Sequence, residues 1–147
     1  MSHYRWTSLL GAVAVCAVSF AAEDEKGFIT LAPSEIVWQD NAEGPDFAFI
    51  VGHPQQAGFY IVRARFAPGV MSQPHTHPSD RHVTVISGTW WAGKGPTFDP
   101  NNTTPLQPGS YMLHPAGEVH YDGAKDVEAI VEIKGIGPAP TVPFTQR

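Results

Sequence analysis

His75 and His77 stand two residues apart in Q-P-H-T-H-P, and His120 ends a separate block that runs G-S-Y-M-L-H-P-A-G-E-V-H from Gly109. Neutral imidazoles are good ligands for divalent transition metals. In a strand, alternate side chains share a face, so His75 and His77 would present both rings to one space. A third imidazole from another segment completes a small coordination set with room for exchangeable water, which a metal can activate, or for a substrate that it can polarise. Pro74 and Pro78 bracket the pair and restrict its backbone, and P-A-G at 115–117 is a turn from which a return strand can start at His120.

Such ligands need strands to hold them. The chain has 14 Gly and 14 Pro, with short segments between the turn signals that are rich in β-branched and aromatic residues, the pattern of an all-β sandwich or barrel. The clearest strand is Phe59 to Phe66, where Tyr60, Val62, Ala64 and Phe66 alternate with a face carrying Arg63 and Arg65. Ala129, Val131 and Ile133 alternate with acidic neighbours in the same way. Further strands are expected at Glu35 to Trp38, Phe47 to Val51, His82 to Ser87, Thr89 to Ala92 and Ser110 to Leu113. Closing such a sheet makes one face an interior that a third histidine can enter. No segment keeps a helical period, which leaves a turn or two of helix after Ala32. Residues 93–108 are expected to form a polar loop, and residues 135–147, with three prolines, an extended tail.

A length of 147 residues suits one domain, with residues 22–147 as the folded unit and a core over about 35–134. The first 21 residues differ in kind: Arg5 is the only acid or base before Glu23, and Thr7 to Ala21 is mostly apolar. Ser19 and Ala21 are placed as the small residues before a cleavage point, so residues 1–21 are expected to be a secretory signal peptide. The product would be secreted or periplasmic, with no stable membrane association after cleavage. Cys16 is the only cysteine, and it lies in the leader, so the mature chain would have no disulfide. Formal net charge is −5, and without Arg5 the balance is 8 bases against 14 acids. No basic cluster exists to meet a polyphosphate backbone or an anionic lipid surface, which argues against nucleic acid as a partner.

The two histidine blocks resemble the paired motifs of the cupin superfamily. Gly69, His75, His77 and Gly88 match the first motif, and Gly109, Pro115, Gly117 and His120 match the second, so the resemblance covers roughly residues 60–134. It implies a single-domain, all-β double-stranded β-helix (jelly-roll) barrel, one divalent transition metal per chain (Zn, Fe, Mn, Ni or Cu) held by His75, His77 and His120, a small-molecule ligand or substrate, and a homodimer. Two positions depart from the pattern. Arg81 stands where the family usually carries its glutamate ligand, and Ala124 replaces the final asparagine.

A guanidinium keeps its proton and has no lone pair to offer, so Arg81 cannot coordinate. Three readings of the fourth position follow: His82 enters through a small bulge, Asp80 reaches in from the turn, or water completes the set while Arg81 meets a substrate carboxylate or an acid beside the site. Strand parity restrains the first, because an inward residue 81 turns His82 outward. Trp90 and Trp91 must face opposite ways, and Trp91 is taken as the wall of a substrate pocket. His114 reads as structural or as a neighbour of the ligands, and no carboxylate in either block stands out as a general base. These features suit an exported mononuclear metal-dependent oxidoreductase or lyase acting on a small polar molecule, or else a non-catalytic module that binds or senses a metal or small ligand.

Overall fold

The computed structural model describes residues 24–145; the leader expected at 1–21 lies outside the described residues. Among these, no helix is long and apolar enough to cross a membrane. A 3-10 turn at Pro33–Glu35 precedes ten strands: β1 (Asp46–Val51), β2 (Gly58–Phe66), β3 (His75–Thr76), β4 (Arg81–Ser87), β5 (Trp90–Lys94), β6 (Thr104–Leu106), β7 (Tyr111–His114), β8 (His120–Gly123), β9 (Ala129–Gly137) and β10 (Val142–Pro143). They form two five-stranded antiparallel sheets, ordered β1-β2-β9-β4-β7 and β10-β3-β8-β5-β6. The all-β jelly roll expected from the chain is the fold observed.

Alternation builds the interior. In β2, Tyr60, Val62, Ala64 and Phe66 point inward, and opposite them in β9 are Ala129, Val131 and Ile133, paired from Phe66↔Ala129 to Gly58↔Gly137. β4 adds Val83 and Val85, and the second sheet adds Trp90 and Ala92. Burial of each large apolar side chain here contributes about 2 kcal/mol. The outer face of the first sheet is mixed: Phe59, Ile86, Tyr111, Leu113 and Ile136 are exposed there beside the ion pairs of Arg63 with Glu132 at 3.0 Å and Arg65 with Asp46 at 2.7 Å.

Three expectations about local structure need correction. Glu35 to Trp38 forms no strand; only Gln39 bridges, to Phe47. Residues 93–108 include β6, which pairs with β5, and this loop also covers the back of β8, where the Tyr121 hydroxyl donates to the carbonyls of Asp99 and Asn102 at 3.0 and 3.2 Å. The segment after 134 is not a free tail. β9 continues to Gly137, Ala139 donates its N–H to Pro54, and β10 pairs with β3. Gly88 makes the β4–β5 turn at φ +71°, and a Cβ there would collide with the carbonyl oxygen of Glu128, so this position requires glycine.

Candidate metal centre

β3 and β8 are neighbours, with His75 directly opposite His120. His77 lies just beyond β3, and its carbonyl accepts the N–H of Gly117, whose φ of +77° shapes the P-A-G turn. The result brings the three histidines together: possible ligand atoms of His75, His77 and His120 lie within 4.8 Å of one another. The His75 ring centroid is 4.9 Å from that of His77 and 4.4 Å from that of His120. All three residues are buried.

Each ring is oriented by its Nδ1. That of His75 meets the Gln73 carbonyl at 2.7 Å, that of His77 the Pro140 carbonyl at 3.1 Å, and that of His120 the Glu118 carbonyl at 3.0 Å. A carbonyl oxygen can only accept, so Nδ1 carries the proton and the lone pair is left on Nε2. Nε2 of His120 is buried with no protein partner. Burial first, and the Arg81 charge second, lowers His77 to about 2. Burial lowers His120 to about 4 against the opposing pull of the Glu118 carbonyl. Neutral rings with oriented Nε2 lone pairs are the protonation state that metal ligation needs, so the donor set fits a divalent transition metal.

Arg81 faces inward from β4 and is 9% exposed. Its Nη1 donates to Nε2 of His77, and its Nε has no acceptor. His82 is corrected: it lies on the exposed outer face, where Nδ1 meets the Tyr111 hydroxyl at 2.8 Å, so the four-histidine set does not form. β4 carries no bulge at residue 82 that could turn the ring inward, and its register with β9 shifts only between Val85 and Ser87. Asp80 does not reach in either, because its Oδ1 accepts the N–H of Ala116 and braces the turn before His120. Trp91 is corrected as a pocket wall. It faces away from the interior under the Lys125 ammonium, 3.7 Å from the ring centroid, while Trp90 is 1% exposed and lines the cavity.

Two further residues join the cluster, His114 as the expected neighbour of the ligands and Asp122 beyond those expected. His114, opposite Arg81 across the β4–β7 pair, stacks on His120 with centroids 3.7 Å apart, and its Nε2 has no partner. Asp122 stands two residues after His120 on β8 and points to the same interior, making a second possible ligand group with His114 and His120. Burial pushes its carboxyl up, opposed by the charges of His75 and Arg81. Its even spacing from His120 along β8 is the signal in the chain that points to it. A cavity of about 410 Å³ opens beside the cluster; His75, Arg81, His114 and Asp122 form its polar end, and Phe47, Phe66, Val83, Trp90, Val131 and Ile133 line its walls.

With that geometry in view, residues 26–136 match the family described as the ChrR cupin-like domain. The chain belongs to that family. Among curated proteins, this cupin is 32% identical to germin-like protein subfamily 1 member 7 of Arabidopsis thaliana over 84 residues, 54% of this chain and 37% of the relative. It is 30% identical to putative germin-like protein 2-1 of Oryza sativa over 88 residues, 55% of this chain and 40% of the relative. It thus spans less than half the length of these curated relatives.

Among solved structures, the cupin resembles the polyketide cyclase RemF of Streptomyces resistomycificus with a TM-score of 0.66 at 14% identity, covering 82% of this chain and 87% of that one. It resembles a cupin-superfamily sugar phosphate isomerase of Silicibacter pomeroyi with a TM-score of 0.60 at 18% identity, covering 80% and 82%. Those two likenesses establish the fold. A cupin-like protein of unknown function from Ralstonia eutropha is nearer in sequence, at 28% identity and a TM-score of 0.55, covering 70% and 60%.

Proposed function

We propose that this cupin is a metal-dependent enzyme that holds one divalent transition-metal ion on His75, His77 and His120 and acts on a small molecule bound in the adjoining cavity. The observation that carries the reading is the orientation of the three rings, each with Nδ1 tied to a backbone carbonyl and Nε2 left as the donor. Imidazole donors suit Zn, Fe, Ni or Cu better than Mn, which prefers oxygen donors. When bound, such an ion supplies Lewis acidity toward a substrate oxygen or lowers the pKa of water. Arg81 orients the polar end of the substrate, and the apolar walls exclude water from it. Asp122, whose carboxyl is raised by burial, gives or takes the proton that an elimination or isomerisation moves.

This proton-handling group favours lyase-type chemistry over oxidation, which would need a redox-active ion and a second substrate. Solved structures named as a polyketide cyclase and a sugar phosphate isomerase share this fold. Export as a secreted or periplasmic protein after removal of residues 1–21, and pairing as a homodimer, belong to the same proposal.

The test combines elemental analysis of the purified full chain with a turnover screen against small carboxylic and hydroxy compounds, followed by variants. Stoichiometric metal and a turnover that His75→Ala and His77→Ala abolish are expected. Asp122→Asn is expected to keep the metal and lose about 10²- to 10⁴-fold in rate. Stoichiometric metal without turnover would make the protein a binding or sensing module, and absence of metal uptake would overturn the proposal.

A further inference from the structure

Among the described residues, the buried groups with a formal charge are Arg81 and Asp122, at 9% and 6% exposure; the other buried polar residues are histidines, His75, His77, His114 and His120. At most, an ionised Asp122 balances the Arg81 guanidinium in the metal-free interior. A divalent ion at the three histidines adds two positive charges, next to a cation that cannot lose its proton. Glu43, the acid at the cavity mouth, is exposed and screened by solvent. Uncompensated charge in a buried site is strongly unfavourable, so the loaded centre requires an anion from outside the chain.

Two features of Arg81 show where that anion would sit. Its Nε–H is buried and has no acceptor. Its Nη1 donates to the Nε2 of His77, the donor atom that a metal ion would take over, so the guanidinium must find another acceptor when the ion enters. Arg81 lines a smaller cavity of about 230 Å³ beside Val62 and Pro140, and also the cavity of about 410 Å³ that it shares with His75, whose walls are Phe47, Phe66, Val83, Trp90, Val131 and Ile133. A carboxylate offers two oxygens to a guanidinium fork, and apolar walls suit an aromatic or aliphatic body.

We propose that Arg81 anchors an anion subsite, and that the cupin takes up its metal ion together with a small carboxylate of apolar body rather than before it. The proposal rests on the metal reading above and names the substrate class for that site. It makes metal and carboxylate affinities reciprocal: each ligand raises the other's affinity by the same factor.

The experiment titrates the full chain with Co²⁺, with and without saturating benzoate, and then with benzoate in the presence and absence of Co²⁺. The Co²⁺ visible band and calorimetry are the readouts. Benzoate is expected to tighten Co²⁺ binding about tenfold and to shift the band, and Co²⁺ to tighten benzoate by the same factor. In Arg81→Gln, Co²⁺ alone is expected to bind more tightly than in the wild type, because the competing donor at His77 is gone, and benzoate to add nothing. Equal Co²⁺ affinity with and without benzoate in the wild type would overturn this proposal and leave the metal reading standing. No Co²⁺ uptake under either condition would overturn the metal reading itself. The wild-type titrations decide the matter even if Arg81→Gln does not fold.

Discussion

The two faces of β4 carry basic side chains one residue apart, with opposite fates. Arg81 points into the barrel, is buried against His77 and leaves Nε without an acceptor. His82 points outward, and its ring is satisfied by the Tyr111 hydroxyl in contact with solvent. β5 repeats the contrast: Trp90 is sealed into the cavity wall, whereas Trp91 lies on the surface under Lys125. A residue's chemistry here depends less on its type than on the face it occupies. The inner face removes water, and with it the partner that every polar atom would otherwise have. Unsatisfied donors and lone pairs accumulate there, and they are what a metal ion or substrate can complete.

The strongest way to break this comparison is to exchange ligation between the faces. Replacing His75 and His77 with alanine together is expected to lower metal affinity by at least about 100-fold, whereas His82→Ala leaves it unchanged, as competition titration against a chelating dye would show. Comparable losses from both would mean that the outer face takes part. Next comes packing. Trp90→Ala is expected to cost about 3–5 kcal/mol in denaturant unfolding because it opens a cavity in the core. Trp91→Ala should lose no more than the cation–π contact, about 0.5–1 kcal/mol.

Acid sensitivity sharpens the same contrast. In chelator-treated protein, His77 and His114 are lowered to about 2 and His120 to about 4, while in the unfolded chain such rings titrate near 6.5. The unfolded state therefore takes up protons first as pH falls. Stability is full above about pH 6.5 and is lost below it, down to about pH 4 for His120 and about pH 2 for His77 and His114, by about 1.4 kcal/mol per unit for each imidazole. His114→Gln removes one ring from that set and is expected to flatten the slope by one proton in urea melts at stepped pH. The smallest effect belongs to the outer face: His82→Ala is expected to shift unfolding free energy by less than about 0.5 kcal/mol.

Much of this was legible in the chain. The period-two pattern of Phe59 to Phe66 gives β2 and its inward set directly, and the glycine-framed histidine blocks bring His75, His77 and His120 to one place. Parity from the same pattern sets Arg81 and His82 on opposite faces, and only the structure shows that Arg81 is the inward one. Parity did not resolve Trp90 from Trp91, because the Gly88 turn resets which residue leads the inner face of β5. The even spacing of Asp122 from His120 on β8 is a weaker signal, since it counts only once the strand is known to continue past the histidine. The prolines after Gly135 predict an extended tail, but they say nothing about β10 pairing with β3 or the Pro140 carbonyl holding the His77 ring.

By itself, the sequence determined the fold class, the three histidines that converge and the absence of a carboxylate at the position of Arg81. These follow from local rules, since alternation and turn chemistry act over a few residues and repeat along the chain. Only the tertiary structure decided which groups are left without partners. Nδ1 of His77 finds a carbonyl 63 residues away, and His114, Arg81 and Asp122 meet from β7, β4 and β8. Hydrogen-bond satisfaction and the loss of water depend on what closes over a residue from distant strands, and no local pattern encodes that.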